Sequence, residues 1–180
     1  MEIAKLKDIG QLDDFYCGID VFDEFIHAKG LERAVENNFC VPYKVYSKDK
    51  IIAFFALSCG SLTLDADSKD DFFMGYSNAG DVNIPAAYTE TLKNKIHYPA
   101  IDIAYLAVRE DYQRKKLGKD ILKVIEQKIK QEFDFAGYQF LIVDAYCTKK
   151  YSTVTFYTKC QFTPYGRPIG DVVPMYKPLF

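Results

Sequence analysis

The residues best placed to do chemistry lie in one short basic segment, Asp111 to Asp120, which carries Arg114, Lys115, Lys116 and Lys119 around Gly118. It leaves an apolar stretch and enters an amphipathic one. A strand-to-helix turn of that kind aims several backbone N–H groups at one point, at the positive end of the helix dipole. That arrangement suits a phosphate. Gly118 lets a ligand come close to the backbone. Between Arg109 and Gln131 there are eight basic and four acidic residues, so the segment is basic within an acidic chain. The same residues also read as an ordinary solvated helix start, because charge runs usually lie on surfaces.

Other reactive side chains are sparse. Five cysteines fall at 17, 40, 59, 147 and 160, an odd and unclustered set. Such spacing gives neither a disulfide framework nor a zinc pattern. With only His27 and His97 present, a His/Cys metal cluster is effectively excluded, and no metal is expected. All five cysteines are expected to be reduced and none to be catalytic.

The elements that must hold this segment follow from patterning. Ala100–Val108 is apolar on both faces and predicts a central strand. Leu117, Ile121, Ile125, Ile129 and Phe133 recur every four residues, with Leu122 beside them, and predict the clearest helix in the chain. Tyr138–Tyr146 predicts a second apolar strand, completing a βαβ unit. Upstream, Glu2–Asp8 reads as a first strand. Cys17–Asp20 reads as a turn with Asp20 as helix N-cap, and two short helices follow, ending at Asn37 and Asn38. Phe39–Tyr46 and Ile51–Gly60 read as a hairpin joined by Ser47–Lys50. The span 61–98 reads as a long loop with an acidic cluster, Asp65, Asp67, Asp70 and Asp71, and a short helix from Pro85 to about Lys95. Downstream, Lys150–Lys159 reads as a short helix, with terminal strands at Phe162–Gly166 and Val172–Lys177. The fold class is α+β, a mixed central sheet flanked by helices in a single domain over residues 1–180.

Composition sets outer bounds. The chain has 180 residues, 49% hydrophobic and 27% charged, with a net charge of -2 and a pI near 5.7. This is ordinary globular composition for about one domain. The longest apolar run, near Ile51–Cys59, falls short of a membrane helix, and the start lacks a signal-peptide pattern. Both point to the cytoplasm and to no membrane partner.

With the elements in order, the chain resembles the GCN5-related N-acetyltransferases (GNAT). Their signature, Gln/Arg-x-x-Gly-x-Gly/Ala, reads here Gln113, Arg114, Lys115, Lys116, Leu117, Gly118. Leu106, Ala107, Val108 and Tyr112 before it also match, as do Val143, Asp144 and Ala145. The later block Phe-Tyr-x-x-x-Gly-Phe is met by Phe156, Tyr157 and Phe162. Phe15 to Gly18 and the strand end Leu57 to Ser61 are similar to one branch, the acetyltransferase toxins of toxin–antitoxin modules, whose members modify aminoacyl-tRNA. Three positions depart from the pattern: Lys116 and Gln161 replace glycines, and Lys150 stands where many relatives carry Asn. A positive φ at 116 would strain Lys by about 1 kcal/mol or more.

The resemblance implies direct acetyl transfer from acetyl-CoA, a cosubstrate, to a primary amine. Gln113, Arg114, Lys115, Lys116, Leu117, Gly118 and Lys119 would hold the diphosphate. Leu106, Ala107 and Val108 would receive the pantetheine arm. Tyr157 would protonate the leaving thiolate, although an aromatic at a helix end also reads as core. Asp102 and Asp144, on central strands, are candidate acid–base groups or hydrogen-bonded structural residues. The resemblance also allows an antitoxin partner and a homodimer. For the acceptor, the acidic pI and the acidic loop rank a small-molecule or peptide amine above tRNA. Beyond the coenzyme turn only Lys149, Lys150, Lys159, Arg167, Lys93 and Lys95 remain for phosphates. The alternatives are a toxin acting on aminoacyl-tRNA and a non-catalytic acyl-CoA-binding module.

Overall fold

A computed structural model describes residues 1–64, 69, 91, 94–132 and 136–179. The acidic loop Asp65–Asp71, most of the expected helix from Pro85, Lys93 and Phe133 lie outside the described residues. Seven strands form one sheet in the order β1-β2-β3-β4-β5-β7-β6. The strands are β1 (Glu2–Lys5), β2 (Val41–Ser47), β3 (Lys50–Thr63), β4 (His97–Val108), β5 (Phe140–Tyr146), β6 (Thr163–Pro164) and β7 (Val172–Pro178). Four α-helices have their whole range among the described residues: α1 (Asp20–His27), α2 (Gly30–Glu36), α3 (Leu117–Glu132) and α4 (Val154–Lys159). The mixed α+β sheet expected from the sequence is the fold observed.

The chain divides into two compact units, residues 1–59 with 103–135 and residues 60–102 with 136–180. In the first, β1, β2 and β3 are antiparallel neighbours. The β2–β3 hairpin closes in only two residues, Lys48 and Asp49, both at positive φ. Those signs match the right-handed strand twist. The core here gathers Leu6, Leu12, Phe15, Cys17, Leu31, Phe54 and Ala107, among others, with Phe25 stacked on Tyr105 at 4.6 Å. On α3, Ile121, Leu122, Ile125 and Ile129 are all buried, as their four-residue spacing predicts. The α1–α2 junction needs Gly30: a Cβ there would lie 2.4 Å from the Phe25 ring.

The start of α1 departs from expectation. Asp20 is the first helical residue, and Ile19 is an N-cap with no side-chain bond. The segment before the helix is held instead by Asp23, whose carboxylate accepts from the N–H groups of Cys17 (2.8 Å) and Gly18 (3.0 Å). Gly18 adopts a φ of 74°, which turns both amides toward the helix.

In the second unit β4 runs parallel to β5 through Ala100–Asp102 and Phe140–Ile142, and β5 pairs antiparallel with β7. Its core is Leu62, Leu64, Tyr98, Ala100 and Phe140, with Tyr98 and Tyr176 set edge-on to Phe140.

Candidate functional site

In the first unit, β4 ends at Val108 and the chain passes through a 3-10 turn, Glu110–Tyr112, before α3. Arg114 and Lys116 both adopt left-handed backbone, φ 57° and 63°. The strain expected at Lys116 is therefore present. Among the described residues, no group accepts from the N–H of Arg114, Lys115, Lys116, Leu117 or Gly118; the first satisfied amides are Lys119 and Asp120, both on the Lys116 carbonyl. Five open donors thus gather at the start of a 16-residue helix, three just before it and two in its first turn. This is the polar arrangement of an anion site.

The side chains of the turn divide by role. Arg114, Lys116 and Lys119 are exposed. Lys115 folds back, its ammonium 2.7 Å from the Asp111 carbonyl and over the Tyr112 ring. Lys50 pairs with Asp111 at 3.1 Å and holds that carboxyl below its ordinary value. Gln113 points inward instead of toward a ligand: its amide donates to the carbonyls of Cys17 (2.6 Å) and Val108 (2.9 Å). On β4, Ala107 is buried, and Leu106 and Val108 are half-buried.

Sequence patterning missed Arg109. It is buried, and its guanidinium donates to the Ile51 carbonyl (2.9 Å), the Asp14 carbonyl (2.6 Å) and the Asp14 carboxylate (2.9 Å), lying over the Phe15 ring. The only available signal was an arginine abutting an apolar strand. Cys17 is equally enclosed; burial, with Asp23 adding to the effect, pushes its thiol from 9.0 up to about 12. A thiol so raised is a poor nucleophile. None of the five cysteines, all among the described residues, is joined in a disulfide.

In the second unit, Tyr157 sits on α4 and is 6% exposed. Burial pushes its phenol well above the ordinary value of 10, and the nearby Tyr151, Cys160 and Asp102 add to the rise. Tyr157 is therefore protonated throughout the neutral range, as a proton donor must be. The helix ends in a Schellman arrangement: Phe162 N–H donates to the Tyr157 carbonyl and Gln161 N–H to that of Thr158, both at 3.0 Å. The Tyr157 and Phe162 rings meet edge-on at 5.3 Å, and Gln161 takes the left-handed position at φ 71°. The spacing Phe156, Tyr157, Phe162 is thus a helix-ending motif that fixes Tyr157.

The two candidate carboxylates differ from expectation. Asp144 is exposed, because β5 leaves that face open between buried Val143 and Ala145, and Asp102 is half-buried. Lys149, Lys150, Lys159 and Arg167 are exposed, all in this unit. No group of three or more metal-ligating residues occurs among the described residues, and none of their helices is long and apolar enough to cross a membrane.

No protein-family model and no curated protein matches the sequence. Solved structures do match. A tyrosine-to-phenylalanine mutant of KacT gives a TM-score of 0.71 at 15% identity, over 99% of this chain and 94% of that one. AtaTR bound with acetyl-CoA gives 0.68 at 18% identity, over 99% and 93%. AtaT complexed with acetyl-methionyl-tRNA gives 0.67 at 15% identity, over 98% and 94%. The chain has the GNAT fold. At these identities the likeness is one of fold, and it extends over nearly the whole of each chain. The turn before α3 and the helix carrying Tyr157 lie where the sequence pattern predicts a turn and a helix.

Proposed function

We propose that the chain, residues 1–180 acting as one domain, is an acetyl-CoA-dependent N-acetyltransferase whose acceptor is the α-amine of an aminoacyl-tRNA. The observation that carries the acceptor is the near-complete likeness to AtaT, a structure of which holds acetyl-methionyl-tRNA. This reverses the ranking drawn from charge, which put small amines first. The exposed cations Lys149, Lys150, Lys159 and Arg167 supply phosphate contacts despite the acidic pI.

The roles follow from each residue's surroundings. The five open N–H groups from Arg114 to Gly118 receive the coenzyme diphosphate, with Arg114, Lys116 and Lys119 adding positive charge. Backbone of Leu106, Ala107 and Val108 receives the pantetheine arm. The acceptor nitrogen, as the free amine, attacks the thioester carbon, the C–S bond breaks, the Tyr157 hydroxyl donates to the sulfur as charge develops there, and the nitrogen's surplus proton passes to solvent, from which Tyr157 is reprotonated. Burial above all, with Tyr151, Cys160 and Asp102 adding to it, keeps that hydroxyl protonated.

A non-catalytic acyl-CoA module is disfavoured by the two glycine replacements themselves. Lys116 and Gln161 adopt the positive φ that glycine would, so both motifs keep their form.

Labelled acetyl-CoA offered to charged tRNA, and separately to polyamines, amino acids and peptides, tests the reading. Salt-sensitive labelling of charged tRNA is expected. Turnover on a small amine with none on charged tRNA would restore the original ranking, and no turnover with tight acetyl-CoA binding would favour the module.

A further inference from the structure

The signature glutamine is bonded away from the coenzyme turn, into a segment far earlier in the chain. The two hydrogens of its amide nitrogen are directed at two carbonyls, Cys17 (2.6 Å) and Val108 (2.9 Å). Around it, Glu110 N–H donates to the Tyr16 carbonyl at 3.0 Å, and Arg109 grips Asp14 through both carbonyl and carboxylate. Residues 14–17 are therefore laced to residues 109–113 by consecutive bonds. On its other side the same segment is held by Asp23, through the N–H groups of Cys17 and Gly18. There is little slack: a Cβ on Gly18 would lie 3.2 Å from the Glu110 carboxyl carbon. Immediately after Gln113, at φ -68° and ψ 164°, the chain swings into left-handed backbone at Arg114 and begins the run of open N–H groups.

We infer that Gln113 is a positioning residue, tying the segment Asp14–Gly18 to the coenzyme turn so that the open N–H groups are aimed before ligand arrives. This rests on the acetyltransferase reading. The position needs a donor, because both partners are carbonyl oxygens. Glutamate, the same shape, would set an acceptor against two acceptors. Arginine, which the GNAT signature also admits, would restore donors. Coupling is reciprocal: whatever factor the brace contributes to coenzyme affinity, bound coenzyme returns to the brace.

The test uses the full chain with acetyl-CoA as the probe, in native sequence and as Gln113→Ala, Gln113→Glu and Gln113→Arg, each checked for native circular dichroism. Two lost hydrogen bonds should weaken acetyl-CoA binding about tenfold by calorimetry in Gln113→Ala, and further in Gln113→Glu. Gln113→Arg should stay within about threefold of native. Alkylation of the buried Cys17, read peptide by peptide in mass spectrometry, reports opening of the segment. It should quicken in Gln113→Ala without ligand, and acetyl-CoA should slow it several-fold in the native chain and less in the variant. Native affinity in a folded Gln113→Ala or Gln113→Glu variant overturns the inference, as does an Arg variant as weak as Glu. A native chain that binds no acetyl-CoA sinks the acetyltransferase reading itself. If Cys17 alkylation still quickens in Gln113→Ala in that case, Gln113 is a scaffold residue only.

Discussion

Replacing Gln161 by glycine should make this protein more stable. Gln161 occupies the left-handed position of the Schellman motif that ends α4, at φ 71°. For an L-residue that conformation costs about 1–2 kcal/mol. Glycine removes the steric penalty but brings about 0.5–1 kcal/mol of extra unfolded-state entropy. Taking the middle of each range, the net gain is about 0.75 kcal/mol. Nothing offsets it, because the Gln161 side chain is exposed and its N–H bond to the Thr158 carbonyl survives the change. For a chain of this size about 1 kcal/mol moves Tm by ~2–4 °C, so a rise of about 1–4 °C is expected in thermal unfolding. Gln161→Ala is the control, since alanine keeps the steric penalty and should not raise Tm. The catalytic rate should hold, because Phe162 still caps the Tyr157 carbonyl. A Tm that stays level or falls in the glycine variant, or an equal rise with alanine, would refute the backbone argument.

Four further outcomes are expected. Tyr157→Phe keeps the ring edge-on to Phe162 and removes the donor, so turnover should fall by ~10²–10⁴ while acetyl-CoA affinity in calorimetry is unchanged. Gly118→Asp places a carboxylate among the open N–H groups and should weaken acetyl-CoA binding by at least about tenfold, with less difference from the native chain at high salt. Gly60→Ala should lower Tm, because its Cβ would lie 2.8 Å from Ile142 Cδ1 and 3.2 Å from Asp102 Cβ, an overpacking worth ~1–3 kcal/mol. Cys17 keeps its proton in the folded chain up to about 12 but loses it near 9.0 when unfolded, so its contribution is complete below 9 and disappears between 9 and 12. Stability measured by urea unfolding should therefore decline less steeply across that window in Cys17→Ala.

The parts legible in the sequence were those set by local period. The α3 row of Ile121, Ile125 and Ile129 and the apolar β4 and β5 runs declared themselves, because a period of four or an unbroken apolar run depends only on neighbours. The turn between β4 and α3 was legible for the same reason. Features that depend on distant partners were not. Arg109 reads as the first of a basic run, yet its acceptors lie 58 and 95 residues away, at Ile51 and Asp14. Asp23 reads as an ordinary first-turn acid, and its bonds to Cys17 and Gly18 require the Gly18 φ. Asp144 reads as buried because its strand is apolar, but one face of a strand can stay open while both neighbours on the other are covered. Left-handed backbone at Arg114, Lys116 and Gln161 is hidden by residue type, since none is the glycine that usually marks it, and only the comparison with the GNAT pattern flags 116 and 161.

Those hidden conformations explain how the two helix ends differ in purpose. At the end of α4 the left-handed Gln161 closes the helix: the Tyr157 and Thr158 carbonyls each gain a donor, and Tyr157 is clamped from its backbone as well as its ring. At the start of α3 the left-handed Arg114 and Lys116 leave five consecutive N–H groups without an acceptor among the described residues. A folded chain rarely leaves backbone donors unpaired without water or a ligand to take them. One end is saturated, which suits a mount; the other is unsaturated, which on the proposed function suits a receptor. Both use a conformation that ordinary side chains resist, at about 1 kcal/mol or more for each such residue. Keeping that strain at a lysine and a glutamine, where glycine would relieve it, is what a chain does when the backbone path is needed and the side chain adds something. Lys116 adds a cation beside the open donors, which glycine would not, whereas exposed Gln161 adds nothing the structure shows. Lys116→Gly should therefore raise Tm and weaken acetyl-CoA binding together, while Gln161→Gly should raise Tm alone.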